Sequence, residues 1–166
     1  MLDADTEGKL FFLVAGALLG WFLQQYRVAR AEDVSLVNEH IKDIEKFRDV
    51  SQDYWLTVPD RAEKERAAAA KVRASHAATT LLYEQIGRIC RLSQRRYQLL
   101  SIDLFTAATG GEFESSRQDI DAARAIEIYD RAAALIHFLR EIRRDLISLK
   151  RLLPLWLVRL FKLPLF

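Results

Sequence analysis

The residues with the most chemistry open to them are three histidines, one cysteine and a group of arginines. His40, His76 and His137 are far apart in the chain, and none stands in the Glu-x-x-His pattern by which helical bundles hold paired irons. His137 and Glu141 are one helical turn apart. Two ligands fall short of the set a zinc site needs, so that spacing reads as a surface ion pair. Cys90 has no second cysteine with which to close a disulfide. In an apolar helical stripe it reads as a small buried thiol. No phosphate-binding G-x-x-x-x-G-K-[ST] or nucleophile-elbow G-x-S-x-G occurs. The chain therefore reads as non-enzymatic, with no catalytic residue, metal or cofactor expected.

Arg88, Arg91 and Arg95 share one face of a helical pattern, with Arg96 beside them. Such a row suits phosphates, of nucleic acid or of lipid headgroups, or a salt-bridged face against acidic neighbours. No aromatic stacking set accompanies it, so nucleic acid is not an expected partner. Gly110-Gly111-Glu112-Phe113-Glu114 superficially resembles the GGEEF signature of diguanylate cyclases. That signature requires a surrounding α/β domain, and here helical patterns flank it, so it reads as a helix–helix loop.

Helices must position all of these residues, and the pattern is that of an all-α protein. Leu10 to Leu23 reads LFFLVAGALLGWFL, without charge or proline. With Gln24, Gln25 and Tyr26 it approaches the roughly 20 residues that span a bilayer. Leu10, Phe11, Phe12, Leu13, Leu18, Leu19, Trp21 and Phe22 are the expected membrane anchor. Lys9 and Arg27 would snorkel to the two interfaces, where Trp21 and Tyr26 also belong. A buried core helix and a cleaved signal peptide are the rival readings. The small-x-small Ala29-Arg30-Ala31 favours cleavage, but the acidic Asp3, Asp5 and Glu7 do not suit a signal peptide's positive start. Arg27 and Arg30 on the inner flank place the helical body in the cytoplasm and the amino terminus outside. Gly16 and Gly20 form a G-x-x-x-G pair through which two copies can approach in lipid.

From Glu32 to Val58 there is no Gly or Pro. Val34, Val37, Ile41, Ile44, Phe47, Val50 and Tyr54 recur at helical steps of three and four. The anchor helix can run into this one unbroken, and Val58-Pro59 ends it. A second helix is expected from Asp60 to a left-handed cap at Thr109-Gly110-Gly111, on the order of 70 Å long. Its apolar stripe is Tyr83, Ile86, Cys90, Tyr97, Leu100 and Leu104, and Gly87 marks a place where another helix comes close. Seven acids against three bases in 32–58, and nine bases against five acids in 60–108, suit an antiparallel hairpin of these two.

A third helix, expected to open on a Ser116-x-x-Asp119 capping box, carries heptads. Ala125, Ala132, Leu139, Leu146 and Leu153 repeat every seven residues. Ile128, Leu135, Ile142, Leu149 and Trp156 follow three positions later. Leu139, Ile142, Leu146 and Leu149 are expected to carry helix association, and Ile136, Phe138 and Ile147 widen the apolar surface. The last segment, LLPLWLVRLFKLPLF, has Trp156, Arg159, Phe161 and Lys162 as candidates for an interfacial membrane tail. Strict alternation of three body helices would nevertheless lead this tail away from the anchoring bilayer.

The expected organisation is a short extracytoplasmic terminus at 1–8, a transmembrane helix at 9–27, an antiparallel helical hairpin at 28–111, a heptad-patterned helix at 112–153 and a membrane-interfacial tail at 154–166. A single-pass scaffold or adaptor follows, with membrane lipid and a second copy or a protein partner at its coiled-coil surfaces. The alternatives are a membrane-perturbing effector, such as a small toxin or phage-defence component, and a periplasmic rod resembling a spanin in architecture.

Overall fold

A computed structural model describes residues 4–58, 61–111, 113–115 and 119–147. All regular structure among them is helical. The first helix, α1 (Ala4–Leu56), is one unbroken run of 53 residues, roughly 80 Å long. It continues through Ala29-Arg30-Ala31 and so joins the apolar run directly to the body. The body half buries Val37, Ile41, Ile44, Phe47 and Tyr54 of the stripe expected from the spacing, with Val34 and Val50 half-buried against them, together with His40, Ser51 and Trp55.

The segment after Pro59 departs from expectation. Instead of one long helix it forms α2 (Ala62–Leu81), α3 (Tyr83–Ile89), a 3-10 turn at Arg91–Ser93 and α4 (Gln94–Thr109). Glu63 and Glu65 favour the start of α2 by complementing its dipole. Leu82, Cys90 and Ser93 have ψ of 1°, 18° and 16°, which leaves the helical basin and turns the chain. The chain doubles back about Cys90: Tyr83 meets Tyr97, and His76 meets Phe105. A Cβ at Gly87 would meet only the Gln94 side chain, at an ordinary contact distance of 3.6 Å, so the close approach expected there is not seen. A straight helix of this length would leave its far half without a partner. Folding back buries Ile86, Cys90, Tyr97 and Leu104 instead, at about 25 cal/mol per Å² of apolar surface removed from water.

The last described helix, α5 (Ala122–Ile147), starts later than the Ser116 box would place it. Asp121 is its cap, accepting the Arg124 backbone N–H at 2.9 Å. Ala125, Ile128, Ala132, Leu135, Leu139, Ile142 and Leu146 are all buried, as are Ile136 and Phe138. Ile147 is an exception at 66% exposed, because it follows the buried seam residue Leu146 by one position and so points about 100° away round the helix. Leu149, Leu153 and the tail residues Trp156, Arg159, Phe161 and Lys162 lie outside the described residues.

The result is an up-down-up-down bundle in which α1 packs on α2 and α5, and α4 packs on α5. The extra reversal at Cys90 changes where the chain ends. Gln52 Nε2 donates to the Ala125 carbonyl, Glu45 pairs with Arg140, and Arg143 donates to Asn38. These contacts make α5 antiparallel to α1. Leu146 and Ile147 therefore lie beside Arg27, Arg30 and Val34, at the end of the bundle next to the apolar run. Alternation of three helices predicts the opposite.

At the end away from the apolar run, the bundle is locked around Trp55. Its indole N–H donates to the Ala108 carbonyl at 2.9 Å, its own carbonyl accepts from Asp121, and the Arg124 guanidinium lies 4.7 Å from its ring centre. Tyr54 packs on Phe113 and accepts the Glu114 backbone N–H. Gly111, at φ +64°, takes the left-handed position that the expected cap needed; Gly110 is extended.

Leu139→Ala should cost about 2–5 kcal/mol, since the side chain is fully buried. Arg140→Ala removes only an exposed 3.7 Å pair with Glu45 and should cost about 0–1 kcal/mol. Chemical denaturation of the full chain in detergent, followed by circular dichroism, measures both. Equal losses would refute the placement of the α5 seam.

Candidate functional site

Two features stand apart from the packed core: the bare half of α1, and a cleft beside His40. The first is built by helix continuity. Leu10, Phe11, Phe12, Leu13, Leu18, Leu19, Trp21 and Phe22 are between 58% and 76% exposed. The reading of this run as a buried core helix is therefore overturned. By length and composition the helix is apolar enough to cross a membrane. A Cβ added at Gly16 or Gly20 would meet nothing within 4 Å, so that face has no partner among the described residues. Leu139, Ile142 and Leu146, by contrast, face the chain's own core, where α5 lies against α1 and α4.

Just beyond the apolar run, Arg30 donates to the Tyr26 hydroxyl at 2.9 Å and sits 3.6 Å from Asp33. Arg27 is exposed. The row expected of Arg88, Arg91 and Arg95 is broken by the turn at Cys90. Arg88 stays on α3, Arg91 opens the 3-10 turn, and Arg95 is on α4. Arg96 goes to α5, 5.2 Å from the Phe138 ring centre and 3.8 Å from Glu141. Glu45 and Asn38 of the acidic first body helix engage arginines of α5.

The cleft has a volume of about 260 Å³ and lies where α1, α2 and α4 meet. His40 Nε2 and the Tyr97 hydroxyl are 2.8 Å apart at its base, both buried. His76 stacks against Phe105 at 4.1 Å and Phe47 at 5.4 Å. Burial pushes the His40 pKa down to about 4 and lowers that of His76. His40 is therefore neutral at pH 7, and its Nδ1 has no protein hydrogen-bond partner among the described residues. Burial also raises the Tyr97 pKa, which keeps the phenol protonated. The pair joins two helices through a neutral hydrogen bond. Spacing alone left this pair unseen, although His40 does fall in the three-four series between Val37 and Ile44.

His137 Nδ1 is 3.6 Å from Glu141 at the surface. The Gly110–Glu114 segment lies between α4 and α5, and Glu114 bonds to Arg73 of α2.

The His40 shift has a consequence for stability. Below pH 6.5 the unfolded chain binds a proton that folded His40 refuses, so stability falls as pH drops from 6.5 towards 4. The loss accumulates to about 3 kcal/mol over that window. His40→Gln should flatten the profile there. Thermal unfolding of both forms between pH 7 and pH 4 provides the check, and parallel profiles would show that His40 is not the group responsible.

No family model, no curated protein and no solved structure matches this chain.

Proposed function

We propose that this protein is a non-enzymatic, single-pass membrane scaffold. Its bare α1 half anchors it, its helical body faces the cytoplasm, and it docks a second copy or a partner protein at the membrane. One observation carries the reading: a single continuous helix is buried along its second half and leaves an uncharged apolar run uncovered along its first. An exposed apolar surface of this extent is unfavourable in water and favourable in lipid. With the α5 seam filled from within the chain, the Gly16–Gly20 face is the surface left for association between copies in the bilayer. Arg27 and Arg30, against Asp3, Asp5 and Glu7, favour a cytoplasmic body.

The return of α5 to the anchor end favours a second reading, a membrane-perturbing effector. Trp156 is nine residues past Ile147, within roughly 30 Å of chain. The basic apolar tail can thus reach the bilayer that holds the anchor. Induced expression with a membrane-potential dye separates the two: a scaffold leaves the potential intact, and an effector collapses it.

Replacing Leu18 and Leu19 by arginine should release the chain from carbonate-washed membranes, at about 2.5–3.5 kcal/mol for each charge near the bilayer centre. Retention of the double variant would remove the anchor from this segment. For topology, Asp53 is exposed near the far end of α1 and Cys90 is buried. Asp53→Cys in a Cys90→Ala background should resist an impermeant thiol reagent in intact cells and react after lysis. Labelling before lysis would reverse the orientation.

A further inference from the structure

The geometry points to a second contact with the bilayer: the turn between α3 and α4, carrying Arg88, Arg91 and Leu92, rests on anionic lipid headgroups. This proposal depends on the anchor reading and adds a specific surface to it.

The placement follows from the helix pairings. His40 of α1 lies level with Tyr97 of α4, and the chain descends from Tyr97 to its turn at Cys90. Seven residues of helical rise bring the turn about 10 Å closer to the anchor, to the level of α1 near Asp33. Arg27, the cation expected at the interface, is another six residues along. The turn therefore stands about 10 Å from Arg27, a gap comparable to the headgroup layer outside the hydrocarbon core.

The side chains at this turn fit such a surface. Leu92 is 96% exposed, the most exposed large apolar residue among the described residues. A leucine in that setting has no packing role in the bundle. Arg88 and Arg91 are exposed on either side of the turn, without an ion-pair partner among the described residues. Together with Tyr83, Glu84, Gly87 and Gln94 they line an open depression of about 640 Å³. Glu84 is the one acid there, against two guanidiniums suited to phosphate. Arg27 stands at the same end of the bundle, exposed, so its charge adds to that of the turn, whereas Arg30 is paired with Asp33. The opposite end carries charges of both signs, with Asp49, Asp53, Glu114 and Asp121 beside Arg48, Arg61, Arg66 and Arg124. An apolar tip flanked by arginines is the composition that sits at a lipid interface. With one fixed helix through the membrane and one foot on its surface, the body cannot rotate freely about its anchor.

The test places an environment-sensitive fluorophore on the full chain in liposomes. The probe is attached at Leu92→Cys, at Leu19→Cys in the anchor or at Asp53→Cys at the far end, each in the Cys90→Ala background. In phosphatidylglycerol-containing vesicles the Leu92 probe should emit to the blue of the Asp53 probe. In pure phosphatidylcholine the shift should shrink, and Arg88→Gln with Arg91→Gln, or high salt, should abolish it. A Leu92 probe as aqueous as the Asp53 probe, while the Leu19 probe reports lipid, would overturn the foot and leave the anchor standing. An aqueous Leu19 probe would overturn both. Equal shifts in the two lipids would overturn recognition of the anionic headgroup. A shift already present in lipid-free detergent would assign the surface to a protein contact instead.

Discussion

The unbroken backbone of α1 is the constraint on which the rest of this structure depends. Fifty-three residues pass from a bare apolar run into a packed bundle with no glycine or proline between Trp21 and Val58. Every interior N–H keeps its partner four residues back, so the junction carries no hinge. The side chains change character along the rod while the backbone does not. A break at Ala29–Ala31 would separate the apolar run from the body. Without one, the direction of the first half sets the direction of the second, and the levels of all other helices can be measured along α1.

Each later helix solves the problem of covering the body half of that rod. The hairpin of α2–α3 and α4 lays His76, Tyr83, Tyr97 and Leu104 against it, and α5 closes the other side. Trp55 ties the far end together, because its indole, its carbonyl and its ring face each take a partner from a different segment. A cation over an indole contributes about 0.5–2 kcal/mol, and the indole hydrogen bond about 1 kcal/mol. The greater effect is one of register. Fixing Ala108, Asp121 and Arg124 around one side chain fixes where α4 ends and α5 begins, and hence which faces the two helices present.

The His40–Tyr97 pair acts in the middle of the bundle as Trp55 does at its end. A neutral imidazole buried among apolar groups is costly unless at least one nitrogen is bonded. Tyr97 supplies that bond, and in doing so selects one register of α4 along α1. The adjoining cleft and the unpartnered Nδ1 show that packing here is less complete than at the Trp55 end. The same burial that makes the pair specific makes the fold sensitive to acid.

Much of this was legible in the sequence, because hydrophobic periodicity reports which face of a helix is covered. The all-helical class, the apolar run, the α1 stripe, the α5 heptads from Ala125 to Leu146 and the burial of Cys90 could all be read from spacing and composition. Periodicity carries no information about direction. The residues at Leu82, Cys90 and Ser93 lack the proline or glycine-rich signature of a turn, so one long helix and a folded hairpin have the same pattern. Only tertiary packing decided between them, since folding back gives the Tyr83–Leu104 stripe a partner and a straight rod would leave half of it in water. That decision added one reversal, and the reversal determined which end of the bundle receives α5 and the basic turn. The partner of each buried polar group was likewise settled by the packing: His40 by Tyr97, Trp55 by Ala108, the start of α5 by Asp121. A hydrogen bond between distant segments depends on three-dimensional register, which no local spacing records.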